Sequence, residues 1–426
     1  MTKISFHKDQ TLATLDPNRI EFEVVERKFR GHPDSLADMV AQSFMQKYIH
    51  HSWDIFPELS HTYFPNFSAD KVTLSGASTE YKDGKYGVIK PVDALLIGKM
   101  TEQIGDERID IDTLFKDAIE DIFSKCLGHD DYRPHIRRKT YSVSLAVVDH
   151  NRGFYQPNSV NDLLDILKAE THVNDTVYVV AFTPYSATEK LAIYLDNITA
   201  SEDFKQKFPE IGSDIKAMIR RRLTDFDITL CLPVLPEKVQ DIALYESIIQ
   251  NVKLYLHNIA GIFLKNTQGF EKATVELKVN TKDTHNKKYF AVWGTALSKG
   301  DIGAVGRGNR QQGFISGLRP STNEAISGKN PNHFAGIICY LIAENISHTI
   351  YSRLGLKNTV YIVANNGDSL TEPNSIDIIL EDINSTNEQL IKELVEESFT
   401  SIEKLRTAFI NRDPFERFMS QTEHVI

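Results

Sequence analysis

The sequence predicts an α+β fold with mainly antiparallel sheets, on three observations. Segments rich in Val, Thr, Tyr and Phe outnumber segments of helical period. Several of these strand-like segments neighbour each other along the chain. They do not alternate regularly with helices, as the strands of parallel βαβ units do.

The elements follow in order. RIEFEVVE (residues 19–26) alternates Ile20, Phe22 and Val24 against Glu21 and Glu23, the pattern of a half-buried strand. A helix starts at Pro33 and places Leu36, Val40, Phe44 and Tyr48 four residues apart on one face. Further strands are expected in KVTLSGAS, TYSVSLAVVD, DTVYVVAFTP, DITLCLPV, ATVELKVN, YFAVWGTAL and NTVYIVAN. Further helices are expected over residues 112–126, 237–262, 333–354 and 387–409. The last is amphipathic, with Leu390, Leu394, Phe399 and Ile402 among acids, and should pack on its own domain. SDIKAMIRRRLTDFDITLCLPV (residues 213–234) reads either as a helix then a strand or as a two-stranded hairpin. In a strand, Asp214 and Lys216 share one side, as do Arg220 and Arg222, while Arg221 points to the other.

A chain of 426 residues accommodates two or three domains. Approximate regions are 1–140, 141–270 and 271–426, although no low-complexity linker or short repeat marks a boundary. Apolar residues make up 41% and charged residues 25%, the profile of a soluble globular protein. A net charge of -10 argues against a general binder of nucleic acid or anionic membrane, which needs a basic face. Cys126, Cys231 and Cys339 are sparse and odd in number, and read as buried thiols in a reducing compartment. No apolar run follows the basic residue of MTKISFHKDQ, and AGIICYLIA is too short to span a bilayer. A cytoplasmic protein is expected.

The most unusual segment, residues 299–336, is KGDIGAVGRGNRQQGFISGLRPSTNEAISGKNPNHFAG. So long an irregular connection in a compact domain implies function. Its glycines let backbone N–H groups approach an anion, and Arg307, Arg310, Arg319 and Lys329 would neutralise one. Binding of a phosphate chain needs that combination. The segment is not a P-loop, because SGKN ends in Asn330 and position 323 is Asn. It is not a dinucleotide fingerprint either, since Gln311 stands where the third glycine belongs. HPDS (residues 32–35) reads by itself as a helix cap, with Pro33 at the first helical position and Asp34 and Ser35 in the first turn. Its functional reading gives His32 to a phosphate oxygen and Asp34 to a divalent cation.

Taken in order, GHPDS, VVAFTPYSATE, GSDIKAM, GDIGAVGRGNR and LRPSTNEAISGKNP resemble the archaeal-type branch of the S-adenosylmethionine synthetases (methionine adenosyltransferases). The likeness runs from about Ile20 to Ile376; residues 1–18 and the last fifty or so resemble nothing as closely. It implies three interleaved α+β domains with pseudo-threefold symmetry, and a homodimer with active sites between subunits. The implied reaction joins ATP and L-methionine by attack of sulfur on ribose C5′, followed by hydrolysis of the released triphosphate. It also implies Mg²⁺ and usually K⁺, and no nucleic acid or membrane partner. Carried over by motif, His32, Lys216, Arg307 and Lys329 would act on the triphosphate, and Asp34 would hold Mg²⁺. Asp175, Asp214, Asp301, Arg310 and Asn330 would bind ATP or methionine. The chain departs from the bacterial branch at GKNPNHFAG, which offers His333 and Ala335 in place of a second lysine and a metal-binding aspartate. It also offers Ser78 in LSGAS where that branch has a glutamate for the methionine ammonium, so methionine recognition stays unassigned. Alternatives are a transferase of the same scaffold acting on a methionine analogue, or a non-catalytic regulatory relative.

Overall fold

The structure is a computed structural model that describes residues 2–8, 15–128, 132, 134–140, 155–169, 172–284, 287–332 and 334–415. From Tyr141 onward, the expected strand TYSVSLAVVD lies outside the described residues.

Three sheets carry the fold, and they share one plan. Each has an edge strand parallel to its neighbour, followed by antiparallel pairings. In the first, Lys3–Lys8 runs parallel to Ser375–Leu380, followed by Asn358–Ala364 and Val177–Thr183. In the second, Thr274–Val279 runs parallel to Asp225–Cys231, followed by Lys216–Arg222, Phe22–Lys28 and the short Ile315–Ser316. In the third, His135–Thr140 runs parallel to Asp93–Met100, followed by Phe67–Ser75 and Ile302–Ala304. A pair of helices packs with each: Ala335–Leu354 with Ser385–Thr400, Ala187–Ala200 with Ile242–Lys265, and Pro33–Ile55 with Ile111–Cys126. This is the expected α+β arrangement, repeated three times. Each sheet draws on distant segments, which is why no linker is visible in the sequence.

One apolar core joins the helices of the first and third sheets. Leu36, Val40, Phe44 and Tyr48 are fully buried in it. The helix Pro33–Ile55 is buried all round over residues 35–45, so it is an axis of the fold and not a surface helix. A second core, around Val25, Ile219, Ile228 and Leu256, lies beneath the second sheet.

Several expectations change. The ambiguous segment is a hairpin, with Leu223 in the left-handed region at its turn (φ 53°). Arg221 points inward and Arg220 and Arg222 outward, as strand alternation requires. The strand Phe22–Lys28 forms, but its phase is the reverse of its apolar pattern. Glu23 and Arg27 are fully buried, while Phe22 is 50% exposed. YFAVWGTAL is not a strand: the chain turns at Gly294 (φ 70°), which packs on Gly212, and buries Trp293. The helix expected from residue 237 starts at Ile242, where the Asp241 side chain accepts from Leu244 N at 2.8 Å. The helix expected over 387–409 is two, Ser385–Thr400 and Ile402–Asn411, broken at Ser401. The first packs on Ala335–Leu354 through Arg353–Glu397 (2.9 Å) and the Asn345 amide donating to Ser398 Oγ. Lys3–Lys8, Asp93–Met100, Ser375–Leu380 and the helix Ala187–Ala200 were not anticipated. No helix among the described residues is long and apolar enough to cross a membrane.

The inverted strand is explained by charge pairing beneath the second sheet. Glu23 binds Arg221 at 3.1 Å and accepts from the Ser186 hydroxyl at 2.6 Å. Ser186 and Glu189 form a reciprocal cap on Ala187–Ala200, and Glu189 binds Arg319 at 2.9 Å. Arg27 binds Asp196 at 2.6 Å. Each buried charge has a partner, so removing one leaves the other uncompensated in a low-dielectric site. Arg221→Met should therefore destabilise the fold by about 3–5 kcal/mol. Arg220→Met, one residue away on the open face, should change stability by less than about 0.5 kcal/mol. Urea unfolding midpoints of the two variants provide the check.

Candidate functional site

The site is built where the helix Pro33–Ile55 begins. Pro33 occupies the first helical position, and His32 is the cap, its Nδ1 accepting from Asp34 N at 3.2 Å. Two glycines bring other segments onto this point. A side chain at Gly31 would strike Ser213 and the Asp214 backbone, and one at Gly303 would strike the Pro33 carbonyl. Residues 213–216 and 301–304 therefore close on the helix start from both sides. Ala304 N donates to Asp34 Oδ1 at 3.1 Å, and Phe29 N donates to Ile215 O at 2.8 Å.

The charges at this junction are set by sheet register. Lys216 lies opposite Lys28 across adjacent strands, so both side chains stand on one face. Lys216 pairs with Glu26 at 3.0 Å; Lys28 pairs with Asp34 Oδ2 at 2.9 Å and donates to the Arg307 carbonyl. Burial, helped by the charges of Lys28 and Lys216 and opposed by Asp34 and Asp301, holds the His32 imidazole down to about 4. The ring is thus neutral near pH 7. With Nδ1 accepting, its proton sits on Nε2 as a donor. Asp214 is buried and accepts from Ala296 N at 2.7 Å. Burial raises its carboxyl to about 7, with the charges of Asp301 and Asp34 adding to the rise. Asp301 is exposed, its carboxylate accepting from Ile302 N.

His32, Asp34, Asp214, Lys216 and Asp301 thus come together from three distant stretches. Arg307 is exposed in the loop pinned to this cluster. Asn309 exchanges hydrogen bonds of 2.9 and 2.7 Å with the Lys28 backbone, and Gly306 N donates to Asp38 Oδ1 at 2.9 Å. Arg310 lines a small cavity of about 30 Å³ with Asp38 and Glu324, and its Nε has no hydrogen-bond partner among the described residues. Lys329 lies further along the helix, where Gly328 packs on Ala41, and binds Asp70 at 2.9 Å. Asn330 is buried, its amide donating to Asn66 Oδ1 and its oxygen accepting from Asn332 N. Asp175 stands before Val177–Thr183 in the first sheet, its carboxylate turned to Thr176 N at 2.8 Å, and makes no described bond to the cluster. Arg319 is a correction: it is buried against Glu189 and the Pro184 carbonyl, not free to meet an anion. Cys231 is another: it is exposed, opposite Lys216 on the open sheet face, whereas Cys126 and Cys339 are buried. His333 lies outside the described residues.

Lys28 and Glu26 are the residues that motif reading missed. Their signal was period two, which puts both on the same side of the strand as the chain enters GHPDS.

Asp214 makes one contribution to the pH dependence of stability. Its folded value lies above the ordinary 3.8, so the native state prefers the protonated carboxyl. That contribution is full below 3.8 and is lost as pH rises through about 7. His32, held down to about 4, contributes with the opposite sign below 6.5, so the check is a difference: the unfolding midpoint of the parent should fall relative to that of Asp214→Asn as pH rises from about 4 to about 7.

Comparison with known proteins gives the family. The model of the S-adenosylmethionine synthetase (AdoMet synthetase) family matches residues 9–413. The S-adenosylmethionine synthase of Methanothermobacter marburgensis is 30% identical over 371 residues, covering 84% of this chain and 86% of the relative. That of Sulfolobus acidocaldarius is 28% identical over 388 residues, covering 88% and 89%. In fold, the chain is similar to the solved structure of an unusual S-adenosylmethionine synthetase from Campylobacter jejuni. The TM-score is 0.54 at 13% identity, over 95% of this chain and 99% of that one. With the family matched along nearly its whole length, this chain belongs to the S-adenosylmethionine synthetases.

Proposed function

We propose that this chain makes S-adenosylmethionine from ATP and L-methionine. The observation that carries the reading is the convergence of His32, Lys28 and Lys216 on a helix start that also holds Asp34. Methionine sulfur is nucleophilic without a base. The barrier lies in the triphosphate leaving group, which gathers negative charge as the bond from C5′ to oxygen breaks. Fixed cations and N–H donors in a sheltered site lower that barrier most. The neutral His32 Nε2–H would donate to a phosphate oxygen near the breaking bond, where the helix N-terminus also favours an anion. Lys216, Arg307 and Lys329 would hold the phosphate chain and keep it in place for hydrolysis to pyrophosphate and phosphate. Asp214 and Asp301 would face the adenosine and methionine, with Arg310, Asn330 and Asp175 as further binding residues. Holding sulfur in line with C5′ supplies much of the remaining rate.

The donor set fits Mg²⁺. Among the described residues no three acidic, imidazole or thiol side chains converge to hold a cation alone. Asp34 by itself, with phosphate oxygens of the substrate, is the pattern this ion prefers at nucleotides. It would neutralise charge on the triphosphate, and Lys28, now on Asp34 Oδ2, would be released towards the phosphates. K⁺ dependence is read by assaying with and without it.

A homodimer with shared active sites fits the second sheet. Its open face carries Lys216 near Met218, 37% exposed, with Phe22, 50% exposed, at the far end of the strands. Sedimentation should give twice the 48.3 kDa chain mass. Met218→Glu should yield monomers with little activity, and a fully active monomer would contradict the shared site.

Purified protein with ATP, methionine and Mg²⁺ should form S-adenosylmethionine, pyrophosphate and phosphate. Failure across varied Mg²⁺ and K⁺ would reject the reading, and product from another thioether but not methionine would redirect it. His32→Ala and Lys329→Ala should each lower kcat by about 10²–10³-fold with little change in methionine binding, because both act on charge that develops in the transition state.

A further inference from the structure

A cavity of about 300 Å³ opens on the helical side of the second sheet, between the end of Ile111–Cys126, the end of Ala187–Ala200 and residues 212–213. Its charged lining is mostly cationic: Arg30, Lys125, Lys205 and Lys238. Asp196 also lines it; Arg27 holds its Oδ2 through bonds of 2.6 and 2.8 Å, and its Oδ1 faces Arg30. Arg30 gives one nitrogen to Asn197 Oδ1 at 3.1 Å. Its Nε is closed off from solvent, faces Asp196 Oδ1 at 3.9 Å and has no hydrogen-bond partner among the described residues. Lys125 and Lys205 meet Asp121 and Glu202 in pairs of 3.1 and 3.4 Å that are open to solvent, so these pairs compete weakly with a bound anion. Lys238 donates to the Pro209 carbonyl. Phe208 and Leu235 give the cavity an apolar wall.

A cavity lined by one guanidinium and three ammonium groups and backed by apolar side chains suits a phosphate joined to a flat organic group. We propose that this cavity is a second ligand site, taking a phosphate-bearing small molecule of the nucleoside monophosphate class. The catalytic reading is not needed for it, but the two sites share backbone. Arg30 directly precedes Gly31 and His32. Gly31 N donates to Ser213 O at 3.1 Å, and the Ser213 hydroxyl donates to the Cys126 carbonyl. Residues 30–31 and 212–214 thus separate the cavity from the candidate active site, so a ligand in one is coupled to the position of His32 and Asp214 in the other.

Calorimetric titration of the full chain with AMP, and separately with pyrophosphate, tests the proposal. AMP should bind more tightly than pyrophosphate, because only AMP can use the apolar wall. The double variant Lys125→Glu/Lys238→Glu should weaken AMP binding about tenfold or more, while Lys329→Ala leaves it unchanged. The milder Lys125→Ala/Lys238→Ala pair, checked by circular dichroism, should weaken it in the same direction. Three results would overturn the proposal: no AMP binding at millimolar concentration, loss of AMP binding in Lys329→Ala but not in the double variants, or pyrophosphate binding as tightly as AMP in a way that the double variants abolish. Synthesis of S-adenosylmethionine is measured separately, so failure of this site and failure of the catalytic reading are distinguishable.

Discussion

Backbone-to-backbone contact at the start of the helix Pro33–Ile55 is the constraint on which the rest depends. Gly31 lies on Ser213, and Gly303 lies on the Pro33 carbonyl. Neither contact leaves room for a methyl group. Because neither glycine carries a side chain, three remote stretches touch there, and their functional groups reach a common space. Lys28, Lys216 and Asp301 all act on the titration of His32, and Asp34 and Asp301 act on that of Asp214. A looser junction would separate these groups and return each to ordinary solution behaviour.

The second sheet supports that junction by keeping its two faces chemically distinct. Beneath it, Glu23, Arg27, Arg221 and Arg319 are committed to one another's partners and to Ser186, Glu189 and Asp196. On its open face, Glu26, Lys28 and Lys216 remain close to solvent. Strand alternation thus sorts charges by role: one set is neutralised inside, and the next residue along faces the site. The buried set makes the register costly to shift, since a slip of one residue would exchange the faces.

Local chemistry was legible in the sequence, and pairing across distance was not. The helix start at HPDS could be read because caps depend on neighbouring residues, and the glycine-rich stretch could be read as functional from its length and cations. The α+β class followed from strand order. The phase of Phe22–Lys28 was misread because apolar alternation assumes that charge faces water, whereas Glu23 finds Arg221 about 200 residues away. Arg319 was misread for the same reason, with Glu189 as its hidden partner. YFAVWGTAL has strand composition, but Gly294 and Gly212 need to touch, and the chain turns. Lys28 escaped notice because its value comes from standing across from Lys216.

The plan of the first sheet bears on how the molecule is made. Its edge strand, Lys3–Lys8, pairs with Ser375–Leu380, and His7 bonds Asp377 at 2.8 Å across 370 residues. The two other pairings draw on Val177–Thr183 and Asn358–Ala364. During synthesis this sheet cannot close until almost the whole chain has left the ribosome, so its first-made strand waits longest for a partner. The second sheet is complete except for Thr274–Val279 and Ile315–Ser316 once residue 231 has emerged, and it can organise earlier. Folding is therefore ordered by chain topology, with the slow, non-local step last. An extension fused to the N-terminus would burden that final step most.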